Sequence, residues 1–158
     1  MNNNHFLYYH NTDIGSVAIL ESNGSITHLS VESGDSLPEA ELLETKLIAE
    51  AFRQLNSYLS GKLKQFSLPL APSGTPFMQQ VWKTLCTIPY GTTATYKDIA
   101  TAVGNPLAQR AVGMANHKNT IPIFIPCHRV IGSNGTLTGY RAGLALKQHL
   151  LELEHSNR

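Results

Sequence analysis

Cysteine is scarce in this sequence: only Cys86 and Cys127 occur among 158 residues. Two thiols cannot build a zinc site of usual type without histidines at ligand spacing, and no such spacing is present. A disulfide between them is open on arithmetic alone, and two free thiols in a reducing cytoplasm are the simpler reading. Charge is also sparse, with 15% Asp, Glu, Lys and Arg. No stretch approaches the apolar length of a membrane span. The opening Met1-Asn2-Asn3-Asn4-His5 lacks a basic segment followed by an apolar core, so no signal peptide is expected. Repeats and low-complexity tracts are absent. What is present is 42% apolar residues, enough for a packed core in one domain or two small ones.

The net charge of +1 argues weakly against a nucleic-acid partner, but its distribution argues the other way. Residues 1–70 hold four Lys/Arg against eight Asp/Glu, a balance of −4. Residues 71–158 hold eight against three, a balance of +5. The second half therefore carries the footprint that attracts phosphates.

The first half reads as a small antiparallel meander covered by a helix. His5 to Tyr9, Ile14 to Leu20 and Ile26 to Val31 form the strands. Asn11-Thr12-Asp13 makes one turn, and Asn23-Gly24 the other, a strong hairpin signal. Glu32 to Asp35 reads as loop. Ser36 sits three residues before Glu39 at capping-box spacing. Leu43, Leu47, Ala51, Leu55 and Leu59 then recur every four residues, which predicts an amphipathic helix closed by Gly61. Leu68 to Gly74, with Pro69 and Pro72, reads as a boundary, giving domains 1–72 and 73–158.

The second half reads as mostly helical. Thr75-Pro76 is an N-cap followed by an N1 proline. Phe77, Met78, Val81, Trp82 and Leu85 give the next helix a broad apolar face, with Cys86 inside it as a packed thiol. Thr95 caps a short helix from Tyr96 to Val103, with Asp98 in its first turn, and Gly104 ends it. Asn105-Pro106 begins another helix, to about Asn116. Two short helices joined by a Gly-Asn-Pro turn predict helix-turn-helix. The second of them is rich in small residues, Ala108, Ala111, Val112, Gly113 and Ala115, with Arg110 its one long cation. Such a helix suits sequence-independent approach to a groove better than bidentate reading of bases. Close helix packing is the alternative. The predicted class is thus α+β, a small sheet with a covering helix followed by a winged-helix-like domain.

Chemistry concentrates in Ile123-Phe124-Ile125-Pro126-Cys127-His128-Arg129-Val130. A cysteine after an apolar run is commonly a buried small hydrophobe. Here His128 and Arg129 follow at once, and cationic or imidazole neighbours favour a thiolate nucleophile. In the last helix, plotted at 100° per residue, Lys147 and Glu154 fall within an arc of leucines. A carboxylate there, near a helix C-terminus, is disfavoured by desolvation and by the dipole, so it needs a partner. His128 is the natural one; a frayed end with Glu154 in water is the alternative.

Pro126-Cys127-His128-Arg129-Val130 resembles the signature of the O6-alkylguanine-DNA alkyltransferases. Four further stretches resemble that family in order: Gly91 to Tyr96, Arg110 to Gly113, Asn119 to Ile123, and the terminal helix from Gly143 to Glu154. The match is close over about residues 74–155, and the first seventy residues are compatible with it. The resemblance implies a ribonuclease-H-like first domain. It implies direct-reversal repair, with the alkyl group of O6-alkylguanine, and O4-alkylthymine, passing irreversibly to Cys127 in a single turnover. It implies that Glu154 charges His128, that His128 takes the thiol proton through a water, and that Asn119 holds the turn around the cysteine. Tyr96 would protonate or hydrogen-bond the departing guanine. Arg110, Ala111, Gly113 and Ala115 would meet the minor groove of double-stranded DNA, with Arg110 entering the base stack. Val130, Tyr140 and Arg141 would border the base pocket. No metal, cofactor or membrane is implied, and a monomer is expected.

Arg141 departs from the family, which carries a small residue there; a phosphate contact or a gate over the pocket is expected of it. The first domain also lacks the zinc site of some relatives. Competing readings are an alkylated-base sensor that does not repair, a Cys-His-Glu hydrolase, and a winged-helix transcription factor. Cys127 argues against the sensor, and the hydrolase leaves Arg110 and the helix-turn-helix unexplained.

Overall fold

The computed structural model describes residues 4–32 and 36–158. It divides into two compact units, Met1–Pro72 and Ser73–Arg158. Residues 33–35, part of the expected loop, lie outside the described residues.

In the first unit, β1 (His5–Thr12), β2 (Gly15–Ser22) and β3 (Ser25–Val31) form the antiparallel meander. Asn11 and Thr12 belong to β1 and not to the turn, pairing with Ser16 and Gly15. Asn23 and Gly24 sit at φ 52° and 82°, the two left-handed positions that a tight hairpin of the sheet's own twist requires. A fourth strand, β4 (Glu41–Leu42), pairs parallel with β1, so the sheet order is β3-β2-β1-β4. That strand was not predicted. It corrects the helix start as well: Ser36 caps nothing, and Leu43 is exposed outside the helix. Helix α1 (Lys46–Leu59) is capped by Thr45, whose hydroxyl accepts from the Ile48 amide. Its face of Ile48, Ala51, Phe52, Leu55, Tyr58 and Leu59 is buried, and so are Val17, Ile19 and Ile26 of the sheet. Leu70 continues this unit. The amide of Ile26 donates to Pro69, and that of Ala71 to Ile26, both at 2.8 Å, extending the sheet by one parallel bridge.

In the second unit, Thr75 caps α2 (Pro76–Leu85) by accepting from the Met78 amide. Val81, Trp82 and Leu85 are buried. Cys86 is not a packed thiol: the helix ends at Leu85, and Cys86 is the exposed C-cap. Thr95 and Asp98 form a reciprocal capping box at the start of α3 (Tyr96–Ala102). Gly104, at φ 85°, turns the chain out of that helix. Helix α4 (Gln109–His117) starts later than Asn105-Pro106 predicts, because those residues form a separate turn in which the Ala108 amide donates to Asn105. Its N-terminus has no side-chain cap. Two short strands, β5 (Ala94–Thr95) and β6 (Val130–Ile131), pair parallel. The chain closes with α5 (Leu144–Ser156). No helix among the described residues is long and apolar enough to cross a membrane.

Candidate active site

The approach to Cys127 is buried and conformationally costly. Ile121, Ile123, Phe124 and Ile125 are all buried. Ile123 lies at φ 76°, a region that β-branched residues avoid. Holding one there costs on the order of 1–3 kcal/mol and persists only where the surroundings impose it. Pro126, at φ −79° and ψ 62°, makes an inverse γ-turn, closed by the Cys127 amide donating to Ile125 at 2.7 Å. Proline suits that position because it has no amide to satisfy. Residues Cys127–Arg129 then form a single 3-10 turn, which runs into β6. The pairing of Ala94 with Val130 and Thr95 with Ile131 places the start of α3, and hence Tyr96, beside this segment.

Asn119 braces the approach. Its Nδ2 donates to Ile125 at 3.0 Å and its Oδ1 accepts from the Ile121 amide at 2.9 Å. The side chain therefore reinforces a loop that the backbone also closes, through the Ile125 amide donating to Ile121 at 2.9 Å. Asn116, on α4, donates from Nδ2 to the Cys127 carbonyl at 3.3 Å.

Behind the cysteine lies a buried charge cluster. Glu154 accepts from His128 Nε2 at 2.7 Å and from Arg129 Nε and Nη2 at 2.8 and 3.0 Å. The Gly91 amide adds a fourth donor at 3.1 Å. Arg129 also donates to the Ile88 carbonyl at 2.7 Å, and its guanidinium lies 5.7 Å from the Tyr90 ring centre. His128 and Glu154 are fully buried. A lone carboxylate in such a place would be costly; one guanidinium fork, an imidazole N–H and a backbone amide compensate it. This geometry is the partnered alternative for Glu154, not the frayed end. The guanidinium partner was missed, since Arg129 is adjacent to His128 and alternation in an extended chain would turn them apart; the 3-10 turn brings both to one carboxylate.

Burial depresses the pKa of His128 below its ordinary value, and it outweighs the opposing pull of Glu154. Imidazole is thus neutral at pH 7. With Nε2–H donating to Glu154, Nδ1 is the nitrogen that can take up a proton. Burial likewise pushes the Cys127 thiol up to about 11, while Asn119 and Lys147 pull the other way. The resting group is a thiol.

Lys147 is a site residue that sequence reasoning placed in the leucine arc without a role. It is fully buried, and its Nζ donates to the Thr138 carbonyl at 2.7 Å. Burial lowers its pKa, against the pull that Cys127 exerts as a thiolate. The hydroxyls of Thr138 and Tyr96 lie 2.9 Å apart. Lys147, Leu150 and Glu154 share the inward face of α5; Leu144, expected in the apolar arc, is exposed. Val130 and Tyr140 are buried, whereas Arg141 is exposed.

On α4 the small residues divide between two faces. Arg110 and Ala111 are exposed, and Gly113 is half-buried, with the Tyr96 ring in ordinary contact range of its missing Cβ. Ala115 does not share that face: it is buried, and its carbonyl accepts from Trp82 Nε1 at 2.9 Å.

Comparison with known proteins agrees with this geometry. Residues 76–156 match the model of the 6-O-methylguanine DNA methyltransferase DNA-binding domain, and residues 6–72 that of its ribonuclease-like domain. A methylated-DNA–protein-cysteine methyltransferase of Methanosarcina barkeri is 50% identical over 147 residues, spanning 91% of this chain and 93% of its own. The constitutive enzyme of that name from Bacillus subtilis is 47% identical, over 90% and 91% of the two chains. Among solved structures, Mycobacterium tuberculosis OGT in complex with DNA superposes with a TM-score of 0.90 at 42% identity, covering 96% of this chain and 94% of that one. With both units matched and near-full-length relatives at this identity, the chain belongs to the methylated-DNA–protein-cysteine methyltransferase family.

Proposed function

We propose that this protein repairs O6-alkylguanine, and O4-alkylthymine, in double-stranded DNA by moving the alkyl group to Cys127. The observation that carries the reading is the buried Glu154 carboxylate, paired with His128 and Arg129 directly behind the cysteine. A structural thiol needs no such cluster.

Cys127 begins as a thiol, so the nucleophile has to be made when the lesion arrives. His128 takes the sulfur-bound proton at Nδ1, through a water, and Glu154 stabilises the imidazolium formed. Sulfur attacks the alkyl carbon in line, the carbon–oxygen bond breaks, and its electrons remain on guanine O6. Tyr96 supplies a proton or a hydrogen bond to the guanine anion. Asn119 keeps the cysteine turn in place, and Val130 and Tyr140 line the base pocket with Arg141 at its mouth. The product is a thioether, which offers no leaving group at neutral pH, so the protein acts once.

Arg110, Ala111 and Gly113 meet the minor groove, with Arg110 filling the space of the extruded base. The protein works as a monomer, in the cytoplasm where the DNA lies, without a cofactor. Titration tests this reading. Repair of a lesion-bearing duplex should stop at one lesion per protein molecule. Continued turnover, as a Cys-His-Glu hydrolase would give, would overturn it.

A further inference from the structure

Asn116 lies outside the set of residues assigned above, yet it joins two parts of the reaction. It sits on α4 and is 4% exposed. Its side chain points away from Arg110 and Ala111, toward the cysteine turn. Nδ2 donates to the carbonyl of Cys127 itself, at 3.3 Å. Only the amide NH2 can donate to a carbonyl, so this partner sets which way the amide faces. Its Oδ1 is buried with no hydrogen-bond partner among the described residues. An arrangement that leaves one buried polar atom unsatisfied in order to hold another is costly, and a packing role alone would be filled better by an apolar side chain.

The surroundings give the bond its meaning. The chain entering Cys127 carries a left-handed isoleucine and an inverse γ-turn at Pro126. Two carbonyls flank that proline, those of Ile125 and Cys127. Asn119 holds the first and Asn116 the second. The two asparagines are one helical turn apart, at the end of α4 and on its exit. Trp82 anchors the same end through the Ala115 carbonyl. The cysteine turn is thus fastened at one point to the helix that carries Arg110 and at a second to the segment that leaves it.

Resting on the functional reading above, we propose that Asn116 is a positioning residue for alkyl transfer. It fixes the backbone of the accepting cysteine to the helix that meets DNA, so that docking of α4 sets the aim of the sulfur. It touches neither base nor alkyl group.

The test is single-turnover transfer from duplex DNA carrying O6-methylguanine, at saturating duplex, with wild type and Asn116→Leu. The leucine variant keeps the branched shape, with bulkier methyl ends, and removes the donor. We expect transfer slowed by about tenfold to hundredfold, the effect of a small misplacement of a reacting group. Duplex Kd should stay within about twofold, and the end point should remain one methyl per protein. A purely structural role would lower Tm and leave the saturated rate at 25 °C unchanged, and that result overturns the proposal. So does a rate loss that more duplex restores. If Asn116→Leu does not fold, Asn116→Gln makes the same comparison, since it moves the amide by one methylene and should also slow the saturated rate. Wild type that accepts no methyl would remove the functional reading itself, whereas wild type that accepts it alongside an equally fast variant would remove only the role of Asn116.

Discussion

Each group at the reactive centre is held in the protonation state that its neighbours dictate, and this gives the residue-scale predictions. Glu154 neutralises Arg129 in a buried cluster, so Glu154→Gln leaves an uncompensated guanidinium. That should cost about 3–5 kcal/mol. A thermal melt displaced by less than ~4 °C would contradict it. His128 has a depressed pKa, so the stability it contributes is present above ~6.5 and is lost as pH falls below that value. The acid limb of the transfer rate should lie in the same range, below pH ~6.5; a limb at or above neutrality would count against a neutral imidazole base. Cys127 has the opposite sign. Its pKa is raised, so stability is present below ~8.5 and lost as pH climbs toward about 11, and Cys127→Ala should abolish that alkaline loss. Lys147→Met removes a buried ammonium of similar length. Because desolvation of the cation is costly, stability should hold or rise, while the thiolate loses the countercharge of Lys147 and transfer slows by about tenfold. An unchanged rate would mean that the ammonium serves only the Thr138 carbonyl.

At the scale of elements, what could be read in advance depends on how far away the partner lies. The Asn23-Gly24 turn, the Thr75-Pro76 helix start and the Thr95 cap were legible because donor and acceptor are within four residues. The last has a function, since Tyr96 follows Thr95 directly. Thr95→Ala should cost ~1 kcal/mol of stability and slow transfer through misplacement of Tyr96, measured by melt and by single-turnover rate. Ser36 and Glu39 have capping spacing but no helix, because the chain first adds β4 to the edge of β1 and Thr45 then caps α1. The two-residue strands β5 and β6 are too short for any periodicity to reveal, although they place α3 beside the cysteine. The same holds within the site. The pairing of Glu154 with His128 was legible from an acid among leucines. Arg129 as a ligand of Glu154, Lys147 as a buried cation and Asn116 as a brace depend on a 3-10 turn and on contacts between distant segments, which no local pattern encodes.

For the whole molecule, the split of charge at about residue 70 fits the division into two compact units, the second carrying the +5. DNA affinity should therefore fall with salt, with each phosphate neutralised adding about 0.9 to the slope of log K against log salt. The slope should be modest, since the exposed face of α4 holds one arginine, with Gln109, Ala111 and Met114 beside it. An affinity indifferent to salt would contradict electrostatic docking. On the proposed function, everything turns on Cys127 being itself the acceptor of the alkyl group. Intact mass after incubation with duplex DNA bearing one O6-methylguanine tests it most directly. A gain of one methyl is expected, mapped to Cys127, saturating at one equivalent and absent from Cys127→Ser. Methyl found elsewhere, or a lesion bound but unaltered with no gain in mass, would contradict it.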